Sequence, residues 1–251
     1  RELSFLSMAV RAEDIGYCLG IDEAGRGPVL GPMVYGVCFC PLDCQEKLKE
    51  MGFADSKVLT DEQRRSLFED IKNSSFLGWL VDVISPDYIS GEMTRRFRTN
   101  LNTISHESAM NLVQKVLDHG VNLKEVFVDT VGPPEKYETM LSIRFPNIRF
   151  KVTKKADSLF PIVSAASICA KVTRDIVVEN WKHSEPKIAV SKELGSGYPS
   201  DPTTKKWMKD NCDHVFGYPS VVRFSWMTAS RKTEQRMGIQ TRDHNYPSSI
   251  S

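Results

Sequence analysis

The fold turns on one stretch, Tyr17-Cys18-Leu19-Gly20-Ile21-Asp22-Glu23-Ala24-Gly25-Arg26-Gly27-Pro28, and on the residues just after it. Tyr17 to Asp22 reads as a short apolar strand that ends in acid. Gly25 to Gly31 is a glycine-proline turn, and Met33 to Phe39, closed by Pro41, is a second strand rich in Val and aromatics. Carboxylates at a strand end of an α/β sheet sit where ligands usually bind. Adjacent strand residues point to opposite faces, so Asp22 and Glu23 are expected to share a site only if the strand bends there. The glycine-rich loop permits such a bend. Gly25 and Gly27 let the backbone approach a ligand and aim N–H groups at it, and Arg26 adds a fork suited to phosphate. On this segment alone, a capped turn with solvated charges is an equally good reading. The spacing Gly25-x-Gly27-x-x-x-Gly31 misses the dinucleotide fingerprint by one residue.

Outward from that stretch the pattern alternates. Thr60 opens a helix with Gln63 three residues on, a capping-box pattern, and Leu67, Phe68 and Ile71 give it an apolar face. Phe76 to Ile84 is a third strand, stopped at Pro86. A helix from about Thr103 to His119 comes next, ended by Gly120. Glu125 to Asp129 is a fourth strand, Pro133-Pro134 starts a helix that ends near Phe145, and Arg149 to Thr153 is a fifth strand. Helices are then expected over Phe160 to about Trp181, Asp201 to Asn211 and Val221 to about Arg231. Three strands followed by alternating helices and strands imply an α/β sheet that begins antiparallel and finishes parallel, flanked by helices. The units expected are an arm at 1–16, a catalytic domain at 17–197, a helical C-terminal extension at 198–230 and a disordered polar tail at 231–251.

The chemistry gathers at the strand ends. Asp129 follows Val126-Phe127-Val128, and a charge directly after a buried strand is costly unless paired or bound to metal. Asp157 lies after the fifth strand, in Lys154-Lys155-Ala156-Asp157-Ser158, where a plain helix N-cap is the competing use. Three strand ends thus deliver four carboxylates: Asp22, Glu23, Asp129 and Asp157. Oxygen-only ligands with spare charge suit hard cations such as magnesium or manganese. Two such ions can activate a water and stabilise the leaving oxygen of a phosphodiester. Residues 144–182 hold eight basic residues against three acidic ones, a net of +5 and a candidate nucleic-acid track. Arg95, Arg96 and Arg98, beside Asn100 and Asn102, form a second basic group, although such runs are more often a solvated face.

Composition narrows the partners. The 251 residues carry 33 Lys+Arg against 32 Asp+Glu, a formal charge of +1, which rules out nucleic-acid binding by bulk charge alone. No apolar run approaches the roughly 20 residues of a membrane helix, and the N-terminal stretch has no signal-peptide layout. The six cysteines read as buried free thiols of a reducing, intracellular compartment. Cys38, Cys40 and Cys44 lack the partners that would complete a zinc site.

These segments resemble the type 2 ribonuclease H family. The resemblance rests on residues 20–28, Asp55-Ser56-Lys57, Val128-Asp129-Thr130-Val131-Gly132, Lys155-Ala156-Asp157, the run from Ser164 to Asp175, and Gly195-Ser196-Gly197-Tyr198-Pro199-Ser200-Asp201-Pro202. It covers about residues 17–230, and Val34-Tyr35, Leu159-Phe160-Pro161 and Arg223-Phe224-Ser225-Trp226 look like the eukaryotic form more than the bacterial one. The resemblance implies a ribonuclease H-like fold with a mixed five-stranded sheet. It implies an endonuclease that cuts 5′ to ribonucleotides in RNA–DNA hybrids and at single ribonucleotides embedded in duplex DNA, leaving a 3′-hydroxyl and a 5′-phosphate. Asp22, Glu23, Asp129 and Asp157 become the catalytic ligands of two divalent metal ions, Mg2+ or Mn2+, with Asp22 shared. Gly25, Arg26 and Gly27 become the loop that reads the 2′-hydroxyl. Tyr198 packs on the neighbouring deoxyribose, Lys155 and Arg174 sit near phosphates, and Asn100 contacts the backbone. It implies a nuclear heterotrimer with two non-catalytic subunits, for which the C-terminal helices and Val221 to Trp226 are the candidate docking surface. Ribonucleotide removal from DNA and Okazaki primer processing are the roles implied. The competing readings are a hybrid-binding subunit that does not cut, and another two-metal nuclease or strand transferase on the same fold.

Overall fold

A computed structural model describes residues 15–53, 59–130, 132–182, 193–213, 215, 217–226 and 229. Residues 1–14 of the expected arm, the Asp55-Ser56-Lys57 segment and the tail from residue 231 lie outside these. Five strands form one sheet: β1 (Tyr17–Ala24), β2 (Met33–Pro41), β3 (Gly78–Ile84), β4 (Leu123–Asp129) and β5 (Arg149–Thr153), in the order β3-β2-β1-β4-β5. The first three strands pair antiparallel, whereas β4 runs parallel to β1 and β5 parallel to β4. The described helices are α1 (Gln45–Glu50), α2 (Asp61–Asn73), α3 (Pro86–Thr94), α4 (Leu101–Asp118), α5 (Pro134–Arg144), α6 (Ala156–Leu159), α7 (Pro161–Glu179) and α8 (Pro202–Asp210).

Local chemistry explains the ends. The Thr60 hydroxyl accepts from the Gln63 backbone N–H at 3.2 Å, and the Gln63 side chain accepts from the Thr60 N–H at 2.8 Å. This reciprocal cap stabilises the start of α2 by about 1 kcal/mol. Helix α3 was not foreseen. Pro86, which stops β3, also serves as the first residue of α3, behind a Ser85 cap.

Helices cover both faces of the sheet. On one face Leu112, Val113 and Val116 of α4 and Tyr137 and Leu141 of α5 join Leu19, Ile21, Val37 and Phe39. On the other, α7 and the Phe68 and Ile71 pair of α2 cover Cys18, Val34, Cys38 and Trp79. Helix α7 lies against bare backbone. A Cβ at Gly20 would stand 2.3 Å from the Ile162 carbonyl oxygen, and one at Gly36 would stand 2.6 Å from that of Ala166. The two glycines, and the small residues Ser164 to Ser167, permit this approach.

A third core cluster joins the C-terminal extension to the loop after β1. Val29 and Leu30 pack with Trp207 and Met208 of α8 and with Tyr218, Val221 and Val222. Here one expectation is corrected. Residues 221–226 are not helical, because their backbone pairs with the loop instead. The Gly31 N–H donates to the Val221 carbonyl at 2.8 Å, and the Arg223 N–H donates to that of Val29 at 2.9 Å. The extension therefore carries one regular helix among its described residues, and its turns brace the loop.

Candidate active site

Strand β1 stays paired to β2 through Ala24, with Asp22 opposite Gly36 and Glu23 opposite Tyr35. The expected bend is absent, and the acids whose oxygens gather are Asp22, Asp129 and Asp157, not Glu23. Pairing of β1 with β4 ends at Ile21 and Val128, so Asp22 and Asp129 are the next residues on adjacent strands. At that open edge, groups on either face of β1 reach one groove. Asp157 arrives from the turn after β5, in which Lys155 takes a left-handed conformation, φ 58°. Lys155, not Asp157, holds the N-cap position of α6, so the plain-cap alternative for Asp157 fails. One carboxylate oxygen each from Asp22, Asp129 and Asp157 lies within 4.8 Å of the others. This is the only such group among the described residues. Glu23 joins Asp22 and Asp129 along the groove, and with Asp129 it also borders a second cavity of about 270 Å³ beside Ser105, His106 and Tyr137.

The acids are held and crowded. Asp129 accepts from the backbone N–H groups of Thr130 at 3.0 Å and Ala156 at 3.1 Å, which ties the end of β4 to the start of α6. Asp22 accepts from the Glu23 N–H at 2.7 Å. Burial is the main force that pushes the Asp22 carboxyl well above the usual carboxylate range. The Glu23 charge adds to this, a hydrogen bond from Ser167 opposes it, and Asp129 adds a further push. Hard oxygen ligands that repel one another at this spacing fit a divalent cation, which would remove the repulsion.

The Gly25-Arg26-Gly27 loop closes one side of the groove. Gly25 has φ 76°, and a Cβ there would lie 2.3 Å from Nε of Arg174. Arg26 turns toward α4, where its guanidinium donates to Ser105 Oγ at 2.5 Å and to Asn102 Oδ1. Its fork is thus engaged by neutral acceptors. Gly27 lies under the Tyr198 ring, since a Cβ there would be 2.8 Å from Tyr198 Cε1. Tyr198 is 49% exposed and lines the groove, whereas Tyr218, with the same local sequence, is buried in the third core cluster.

The remaining candidates divide. Arg174 lines the groove, but it donates to the carbonyls of Pro32 and Leu30, both at 3.3 Å, so its first task is to brace the loop. Lys171, on the same helix, also lines the groove. Lys155 is exposed beside Asp157 in sequence. Asn100 is exposed and caps α4 by accepting from the Thr103 N–H at 3.0 Å.

The largest omission from the sequence reading is Arg223. It is fully buried, and it donates to the carbonyls of Gly31 at 2.9 Å, Arg26 at 3.1 Å and Gly25 at 2.5 Å. Its guanidinium also lies 4.9 Å from the Trp226 ring, whose Nε1 donates to the Gly27 carbonyl at 3.2 Å. The signal was available, since an arginine inside Val221-Val222-Arg223-Phe224 must find partners if that run is buried. Of the Val221 to Trp226 segment expected as part of a docking surface, Phe224, Ser225 and Trp226 remain half-buried. Val221, Val222 and Arg223 are buried against this chain's own loop.

Comparison with known proteins points to one family. The family profile described as Ribonuclease HII matches residues 19–229. The A subunit of ribonuclease H2 from Arabidopsis thaliana is 56% identical, covering 84% of this chain and 72% of the relative. The Homo sapiens protein of the same name is 51% identical, with 86% and 73% covered. The crystal structure of ribonuclease H2 from Pyrococcus horikoshii superposes with a TM-score of 0.75 at 32% identity, covering 88% of this chain and 99% of that one.

Proposed function

The chain belongs to the ribonuclease HII family and is a ribonuclease H, and from that premise we propose what it cuts and how. It hydrolyses the phosphodiester 5′ to ribonucleotides, both along RNA–DNA hybrids and at single ribonucleotides embedded in duplex DNA, leaving a 3′-hydroxyl and a 5′-phosphate. The observation that carries this reading is the meeting of Asp22, Asp129 and Asp157, the first two of which line one open groove with the Gly25-Arg26-Gly27 loop. A nuclease for plain DNA has no need of a backbone loop next to the acids that can tell a ribose from a deoxyribose.

Asp22, Glu23, Asp129 and Asp157 would hold two divalent ions, Mg2+ or Mn2+. When bound, such ions supply an activated water and stabilise the leaving oxygen. The chain's own residues do the rest. The Thr130 and Ala156 N–H groups fix the Asp129 carboxylate, so the oxygen donors are ordered before substrate arrives. The Gly25–Gly27 backbone addresses the 2′-hydroxyl, and its shape is held from behind by Arg174 and Arg223. Tyr198 offers its ring to the neighbouring deoxyribose. Lys155, Lys171 and Asn100 face the phosphate backbone.

The relatives are named as A subunits, which implies a larger assembly. We place two non-catalytic subunits in it, in the nucleus, acting in ribonucleotide removal and primer processing. All six cysteines are buried and none forms a disulfide, as suits a reducing compartment. Among the described residues no helix is long and apolar enough to cross a membrane.

The test is cleavage of a labelled DNA duplex carrying one ribonucleotide, with magnesium, by the chain alone and by the chain co-expressed with partner subunits. A continuous hybrid and an all-DNA duplex run beside it. A cut 5′ to the ribonucleotide with the DNA duplex intact supports the reading. Cleavage of the all-DNA duplex, or silence in every arm with assembly verified, refutes it. Tyr198→Ala should reduce cutting at the single ribonucleotide more than along the hybrid, and equal loss on both would remove its junction role.

A further inference from the structure

The segment between α3 and α4 carries Arg95-Arg96-Phe97-Arg98, which take no part in the groove chemistry above. Phe97 is 84% exposed, the highest value among the large apolar side chains described. Arg96 lies 5.9 Å from its ring, and among the described residues neither Arg96 nor Arg98 forms an ion pair. The segment is nonetheless built. The Thr99 N–H donates to the Glu92 carbonyl at 2.9 Å, and the Thr99 hydroxyl donates to the Glu92 carboxylate at 3.0 Å. Arg95 pairs with the same carboxylate, and its N–H donates to the Gly91 carbonyl at 3.1 Å. Both ends of the turn are thus pinned through Glu92, and Phe97 and its flanking arginines stand out from it.

The turn also has a fixed relation to the groove. Leu101, four residues beyond Phe97, is part of the groove wall with Asp22, Glu23 and Arg26. Four residues of chain span at most about 14 Å. Along a nucleic-acid strand that distance is about four nucleotide steps of 3.4 Å. A duplex that runs from the acids past Leu101 would therefore pass within reach of the turn. Arginines suit phosphate, and an exposed aromatic ring suits the apolar side of a sugar.

We propose that Arg96, Phe97 and Arg98 form a second contact with the duplex backbone, a few nucleotides from the scissile bond, that grips RNA–DNA hybrid and plain DNA alike. It rests on the nucleic-acid reading above and adds to it a division of labour. The turn supplies affinity without regard to sugar, and the Gly25–Gly27 loop supplies the choice of sugar.

The experiment measures binding of a labelled hybrid and of a labelled all-DNA duplex by fluorescence anisotropy in chelator, across a salt series. The protein is the full chain with the partner subunits its activity requires. In the R96S/R98S variant the slope of log affinity against log salt should fall by up to about 1.8, near 0.9 for each phosphate no longer neutralised. Both duplexes should weaken by a similar factor. F97A should weaken both several-fold with the slope unchanged. Thermal midpoints should match the parent, because the altered side chains are exposed. An unchanged slope in R96S/R98S overturns the proposal. An unchanged slope together with release of a co-purifying protein likewise overturns it, and gives the turn to a protein partner. Failure of the nucleic-acid reading itself would show separately, as a parent protein that does not cut at the ribonucleotide.

Discussion

Replacing Arg223 by methionine tests whether the loop beside the acids is held from behind. The side chain is fully buried and meets three carbonyls, of Gly31, Arg26 and Gly25, at 2.9, 3.1 and 2.5 Å. Hydrogen bonds to a charged group are each worth about 1.5–3 kcal/mol net, so three set a ceiling of roughly 4.5–9 kcal/mol. Removing the guanidinium also removes its desolvation penalty, several kcal/mol in the opposite direction. Methionine fills much of the volume, which keeps the cavity contribution small. What remains is a set of carbonyls without their donors, about 1–3 kcal/mol apiece when buried. We expect R223M to lose about 3–5 kcal/mol, a large fraction of the roughly 5–15 kcal/mol that holds a domain folded. Urea unfolding should show a lower midpoint with little change in slope. R223K keeps the charge but cannot span three acceptors, so it should lose nearly as much. A loss under about 1 kcal/mol in R223M, or full recovery in R223K, would refute the clamp.

Three other expectations follow from the geometry. Asp129→Asn should bring hydrolysis to background while the thermal midpoint in chelator holds or rises, because one of several crowded like charges is gone. The midpoint gain on adding Mg2+ or Mn2+ should shrink with it, and an undiminished gain would argue against Asp129 as a ligand. Gly20→Ala should cost at least about 2 kcal/mol by urea unfolding, since its methyl meets the Ile162 carbonyl oxygen at 2.3 Å, backbone that cannot move aside cheaply. Asp201 accepts from the Ser196 N–H and hydroxyl and from the Thr203 N–H, and these hold its pKa down at about 2. A depressed carboxyl contributes stability that is present above its unfolded value near 3.9 and lost as pH falls through about 2. Carbon-detected NMR titration should therefore find Asp201 still ionised at pH 3, and a midpoint near 4 would contradict the turn geometry that carries Tyr198.

The parts of this fold that could be read from the sequence are those governed by local pattern. Alternation and turn residues located all five strands, and the Thr60–Gln63 pair located the start of α2 to the residue. The convergence of Asp22, Asp129 and Asp157 was legible because the first two lie at the ends of apolar strands and the third in the turn region just after β5. What could not be read was set by distant contacts. β1 does not bend at Asp22; the β4 ladder stops one residue earlier, and Asp22 and Glu23 both line the groove while only Asp22 joins the three-acid cluster. Residues 221–226 were expected to open a helix, but Val221 and Arg223 spend backbone groups on Gly31 and Val29. Arg174 was expected near a phosphate, and only the fold reveals that it lines the groove and also spends Nε and Nη2 on Pro32 and Leu30.

The place of β1 between β2 and β4 also settles when this site can come into existence. β2 follows β1 after a short loop, and β3 follows β2 after a connection that carries α1 and α2. The pairing of Leu19 with Val126 must wait for a much longer loop to close, and contacts of that kind form slowly. During synthesis Asp22 leaves the ribosome long before Asp129, and Asp157 follows later still. A chain arrested ahead of α6 holds at most two of the three aspartates and lacks the Ala156 N–H that steadies one of them. The carboxylate cluster thus waits for the chain through α6, and Arg223, which emerges later, locks the neighbouring loop only afterwards.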